Sequence, residues 1–419
     1  MLSKLKTWIR SETDAVPLAL MFVTAPLMPL TTLRELRRLR KYRYLPDPEE
    51  LLSKRPEGLE GFSDKMKRVL RTALLAQRTG SRRVFEQEME ELLARTATEL
   101  ELADYNVTQL YQLGSLFTSV IPVTVVSVLI FTSLASATSV LLGCAAITLV
   151  LGVTIAFGIY PRELAVPAPP LKSLIAAFPI PIIYLILYIL GGRGVGVENP
   201  LLLSVATGSA LLSLVHWMWV KRVSSAYREA RELVRRAGTA SYNVYAALGI
   251  ENPEYLLDDK WTGIAGAAAA SLYMLCLYGG EKLADSLQRL EAYVGEYLDA
   301  FVRLREKTRT MMFYALLEAS VVSVMYAILV ACLYFMSGDV MGGGLEGFEV
   351  PTHQMIEEFA RTLDPVLLLN ALGLAATTAA SREGNPALLT LYLPMIAATM
   401  WAGYKLGLVM APQLLGGGV

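Results

Sequence analysis

The chain has 419 residues, of which 54% are hydrophobic and only 18% charged, and its mean hydropathy is +0.44. That apolar excess is more than a water-soluble core of this size uses, so membrane spans are implied. Lys plus Arg and Asp plus Glu both number 38, and this balance excludes the strongly basic surface that nucleic-acid binding needs.

The first charge-rich region covers residues 1–110 and is expected to form a helical lobe. Within it, Ala15–Leu33 is uncharged for 19 residues. It contains Pro17, Pro26 and Pro29, and making it a span would place Lys4, Lys6 and Arg10 on the side poor in basic residues, so it is read as a core helix or hairpin outside the bilayer. A cleaved signal peptide is not favoured, because no small-residue cleavage pattern precedes the charged block. Further on, Phe85, Met89, Leu92, Leu93, Thr96, Leu100 and Ala103 form an apolar stripe at helical spacing, with Glu86, Glu88, Glu90, Glu91 and Arg95 on the other face. Gly80, in RTGSRRVF, predicts a turn before this long helix.

A helix needs about 20 mostly apolar residues to cross the hydrocarbon core. Four such windows lie within 111–220: Leu113–Leu134, Val140–Tyr160, Leu174–Leu190 and Leu201–Val220. Pro122, Pro179 and Pro181 fall inside them and are tolerated where neighbouring helices satisfy the freed carbonyls. His216, beside Trp217 and Trp219, reads as an interfacial anchor.

The second charge-rich region, 221–310, repeats the layout of the first. An apolar helix candidate at Gly263–Leu277 precedes Gly280 in YGGEKLADSL. Then Leu283, Leu287, Leu290, Val294, Tyr297, Phe301 and Leu304 recur with steps of four and three, an apolar seam for a bundle helix. The last region, 311–419, holds three more windows, Met312–Phe335, Val366–Ala380 and Leu388–Val409, with an external loop expected at 337–365.

Seven spans place the basic blocks 34–95, 221–236 and 303–309 on one side, together with Arg162, Lys172 and Arg382. The positive-inside bias then makes the N-terminus cytoplasmic and the C-terminus external. The expected fold is all-α: a polytopic helical membrane protein with about seven transmembrane helices and two cytoplasmic helical-bundle lobes.

No Walker A, GxSxG, HExxH or CxxC pattern occurs, and Cys144, Cys276 and Cys332 stand singly in apolar stretches. No catalytic, cofactor or metal site is therefore expected, and the chain is read as a non-enzyme. Glu318, about two turns into the fifth window, is an intramembrane charge that reads either as a carboxylate facing bundle polar groups or as a coupling residue. The candidate partner-facing residues lie at the two glycine turns: Arg78, Arg82, Arg83 and Glu86 at the first, Glu281, Lys282, Asp285 and Arg289 at the second.

The stretches VLRTALLAQRTGSRRVFEQEMEELL and YGGEKLADSLQRLEAYVGEYLDAFVRLREKTR, each followed by a span, and the terminal NALGLAATTAASREGNPALLTLYLPMIA together resemble the F-domain membrane platform family of type II secretion systems and type IV pili, especially its archaeal pilus and archaellum members. The likeness covers most of the chain and rests on layout. The proline-broken first helix and Tyr242–Asp259 depart from the family pattern. The resemblance implies a cytoplasmic-membrane scaffold, working as a homodimer in lipid, that couples a hexameric secretion ATPase to pilin-like subunits. A small-molecule or ion transporter or channel is the alternative from a different class.

Overall fold

The computed structural model describes residues 2–39, 42–53, 59, 61–81, 83–129, 133–192, 199–239, 244–258, 260–279, 283–337 and 352–414. Among these the chain is all-helical and has no strand. In chain order the helices begin with α1 (Leu2–Thr24), α2 (Pro29–Arg38), α3 (Pro48–Ser53), α4 (Asp64–Thr79) and α5 (Arg83–Ser115). A π turn at Leu116–Val120 joins α5 to α6 (Ile121–Leu129), and α7 (Leu134–Thr154) ends in a second π turn at Ile155–Ile159. There follow α8 (Pro179–Gly192), α9 (Pro200–Gly208), α10 (Ala210–Gly238), α11 (Val244–Leu248) and α12 (Gly263–Tyr278). The last are α13 (Leu283–Lys307), α14 (Arg309–Ser337), α15 (His353–Glu383) and α16 (Leu393–Leu414).

Among the described residues, seven helical runs are long and apolar enough to cross a membrane: Glu101–Leu129, Leu134–Ile159, Leu171–Leu190, Pro200–Gly238, Leu283–Ser337, His353–Glu383 and Leu393–Gln413. The sixth starts earlier than its hydropathy window. α15 is helical from His353, N-capped by the Thr352 hydroxyl, and continues through Pro365, so the second half of the expected external loop is helix. Residues 338–351, with Asp339, Glu346 and Glu349, lie outside the described residues.

The chain divides into two compact units. Unit 1 comprises Met1–Leu102, Pro161–Ala165 and Val220–Leu304, so the two charge-rich segments expected as separate lobes cluster together. The reason is visible in their apolar helices. α1 packs against α12, and the Thr24 hydroxyl donates to Ser271 Oγ at 2.8 Å across that contact. Val16, Leu18, Leu20, Met21 and Phe22 on α1 and Ile264, Leu272 and Leu275 on α12 are all buried. Each segment supplies the surface that the other must cover. α1 and α2 meet at a 120° bend, where Pro29 opens α2. α4 begins at an N-cap in which Ser63 Oγ accepts from the Met66 N–H, and it ends at Gly80, whose φ of +66° is a left-handed conformation that glycine adopts without strain.

The seam of α13 faces inward as its spacing predicts. Leu287, Leu290, Val294, Tyr297, Phe301 and Leu304 are buried, and Phe301 stacks on Tyr227 of α10 with ring centroids 5.0 Å apart. On α5, Phe85 is buried and meets Phe22 edge to face at 5.7 Å.

Unit 2 comprises Ala103–Tyr160, Val166–Trp219 and Arg305–Val419. Its main helix pairs are α14 with α16 and α7 with α15. Both use small residues for close approach, as membrane helices do when lipid supplies no hydrophobic drive. A Cβ at Gly407 of α16 would lie 2.6 Å from Ala327 Cβ and 2.8 Å from the Val324 carbonyl of α14. One at Gly373 of α15 would lie 3.1 Å from Thr148 Cβ of α7. Around the second contact the Thr118 and Thr148 hydroxyls are 3.1 Å apart, and Thr377 Oγ1 donates to the Thr148 carbonyl at 3.3 Å. The Leu171–Leu190 run, by contrast, has no buried residue in its apolar window.

Candidate functional site

The two glycine turns expected from the sequence precede α5 and α13, and both helices begin in unit 1. Of the eight residues expected to face a partner, the structure brings two together: the Arg289 guanidinium of α13 donates to Glu86 of α5. That pair joins the first turns of α5 to those of α13. Arg78, Arg83 and Asp285 are exposed. Arg82, Glu281 and Lys282, like Gly280, lie outside the described residues. A second tie locks the α4–α5 hairpin, where Arg68 of α4 pairs with Glu88 and, at 3.2 Å, with Glu91 of α5. This face is therefore partly internal scaffolding, with Arg78, Arg83 and Asp285 left as solvent-facing charge.

Two ionic features of unit 1 had no signal in the sequence pattern. The first is Glu163, on a three-residue helical turn between the second and third apolar runs. It is 3% exposed, and Lys65 Nζ of α4 lies 3.6 Å from its Oε1 and 3.5 Å from Glu99. Burial raises the Glu163 carboxyl above its ordinary value, and Lys65 only partly offsets that. For Lys65 burial acts downward, yet Glu163, Glu99 and Glu12 together outweigh it and raise its pKa. Beside this pair, the Arg162 guanidinium lies 5.3 Å from the Trp8 ring. The partners are far apart in sequence, and no motif spacing could have announced them.

The second is a groove of about 540 Å³ lined by Glu229, Glu232 and Arg236 of α10 with Gly249, Asn252 and Tyr255 among the residues opposite. Its carboxylates already have partners: Glu229 takes Lys260 at 2.8 Å and the Tyr255 hydroxyl, and Glu232 takes Arg235 and Arg236. The charges that would attract a ligand are spent on one another.

In unit 2 three buried polar positions stand out. Asp364 of α15 accepts from the backbone N–H groups of Leu201 and Leu202 at 2.9 and 3.0 Å, capping α9 from another helix. Glu383, at the other end of α15, is paired with Arg305 at 3.4 Å and accepts from the Tyr392 hydroxyl at 3.0 Å. His216 is buried, not a ring at the lipid interface: Nε2 is 2.9 Å from Ser173 Oγ, and Nδ1 bonds Thr390. Two hydroxyls hold both ring nitrogens, so the ring pins helix ends together.

Glu318 of α14 is 7% exposed. The Ser115 and Thr118 hydroxyls lie within hydrogen-bonding reach of its carboxyl, while Oε1 has no hydrogen-bond partner. None of the ion pairs formed by the described residues includes Glu318. No group of three or more His, Cys, Asp or Glu side chains that could hold a metal ion occurs among the described residues.

No family model, curated protein or solved structure matches this chain.

Proposed function

We propose that the protein is a multi-pass membrane platform that couples a cytoplasmic secretion ATPase to the assembly of pilin-like subunits. The observation that carries this reading is a repeated arrangement: a charge-rich helix pair whose long second helix continues into an apolar run. α4 turns at Gly80 into α5, which proceeds through the π turn and α6 to Leu129. α12 ends at Tyr278, α13 begins at Leu283, and only Thr308 separates α13 from α14. A helix that begins in a charged, partner-accessible region and ends in a membrane run can transmit a push or tilt applied by a motor. The chain carries no phosphate-binding motif, so the motor is a separate chain. The charge-rich unit faces the cytoplasm in this reading, and the homodimer and the pilin-like partners belong to it as well.

The test reverses charge at Arg78→Glu, Arg83→Glu and Asp285→Lys together and measures co-purification with the secretion ATPase. Lost binding with an unchanged thermal midpoint is the expected result, and full binding removes these residues as the interface. A transporter or channel is the second reading, and Glu318 favours it, because such proteins place ionisable groups inside the membrane. Substrate flux in proteoliposomes lacking any ATPase would replace the platform reading.

A further inference from the structure

We propose that unit 2 binds one sodium ion between α14 and the junction of α5 with the π turn, with Glu318 as the charged ligand. The proposal does not rest on the platform reading, since a protein of either class could hold such an ion.

Glu318 lies in an apolar run, where an uncompensated carboxylate is costly. Among the described residues no Lys, Arg or His pairs with it. Its Oε1 is buried without a partner. The groups around it are oxygens from other elements. Ser115 closes α5, Thr118 lies in the π turn, and both reach the carboxyl. Tyr111, one turn before Ser115, is 6% exposed; its hydroxyl lies beside Thr378 and is close enough to Glu318 to feel its charge. The Thr148 hydroxyl extends the cluster at 3.1 Å from Thr118. The unpartnered Oε1, buried among these hydroxyl oxygens, is a group whose lone pairs a cation would take up.

The donor set selects the ion. Hydroxyl and carboxylate oxygens are hard ligands without a thiolate or imidazole among them, which disfavours transition metals. One carboxylate balances one positive charge, whereas calcium sites bring several. The π turn adds a local reason for the position. A five-residue widening places Thr118 on the side of α14, and such widenings recur at functional sites.

The test uses the purified full-length protein in detergent. Its thermal midpoint is measured against NaCl and against choline chloride at matched ionic strength, and retention of ²²Na⁺ is counted on the same samples. A ligand that binds only the folded state raises the midpoint in a saturable way. The expected result is a rise of several degrees in NaCl over choline, with bound ²²Na⁺, and loss of both in Glu318→Gln. Thr118→Val and Tyr111→Phe should weaken half-saturation by about tenfold each, the loss of one hydrogen-bond-sized contact. Equal midpoints in sodium and choline overturn the proposal, as does a sodium shift that persists in Glu318→Gln. A midpoint that follows pH and ignores sodium also overturns it, assigning Glu318 to a proton instead. Should Glu318→Gln fail to fold, Thr118→Val decides the matter: an unchanged half-saturation overturns the site.

Discussion

The buried carboxylate Glu163 carries a pH dependence whose sign follows from its surroundings. Its pKa is raised in the folded chain, chiefly by burial, so the folded state holds its proton more tightly than the unfolded state does. Stability from this group is fully present below the ordinary carboxyl value of 4.5 and is lost as pH rises through the folded value. Lys65 titrates far from this window. Its raised pKa means that its contribution is complete below 10.5 and disappears only in alkali. Glu163→Gln removes the ionisation and keeps the shape. Thermal midpoints of the wild type should fall relative to Glu163→Gln as pH increases from 4.5 toward neutrality, and parallel pH profiles for the two proteins would refute the assignment. The sequence concealed this site for a physical reason: the turn that carries Glu163 is three residues long, and its partner lies on α4, so only the folded chain brings the two together.

At the level of helices, what repeats along the chain was legible and what crosses between helices was not. The steps of four and three from Leu283 to Leu304 specify a buried face, and from Leu287 onward the face is buried, because helical periodicity is a local property. The α9 cap could not be read, since Asp364 belongs to α15 and reaches backbone groups at Leu201 and Leu202. Replacing it with alanine should destabilise the protein by about 1–2 kcal/mol, the range for losing a helix cap, while Asp364→Asn keeps an acceptor and loses less. Thermal unfolding of the two variants in detergent checks the order. The α14–α16 contact gives a second outcome. Gly407→Ala places a methyl 2.6 Å from Ala327 Cβ and close to backbone, which cannot withdraw as a side-chain tip could. It should cost about 1–3 kcal/mol by overpacking. The same change at Gly143, where no atom lies within 4 Å of an added Cβ, should cost little, and equal losses at both sites would contradict the packing argument.

For the whole molecule, the decisive question is whether α1 and α2 form an eighth crossing. By length and composition the bent pair qualifies as a broken span. Packing argues otherwise. A helix facing lipid leaves apolar side chains uncovered, as the Leu171–Leu190 run does, whereas α1 is buried throughout from Ala15 to Val23. The helix against it, α12, has 16 residues, about 24 Å at 1.5 Å per residue, which falls short of the roughly 30 Å hydrocarbon core. Two apolar helices that cover one another need no bilayer, so the count of seven follows, and an odd count puts the two ends of the chain on opposite sides. The positive-inside bias predicts which side: Lys and Arg gather at 34–95, 221–236 and 303–309, so a cytoplasmic N-terminus is expected. Alkaline phosphatase fused after residue 419 should be active and a fluorescent protein fused there dark, while the same reporters fused at the N-terminus give the reverse. Matching signals at both ends would require an even number of crossings and would return α1 and α2 to the membrane.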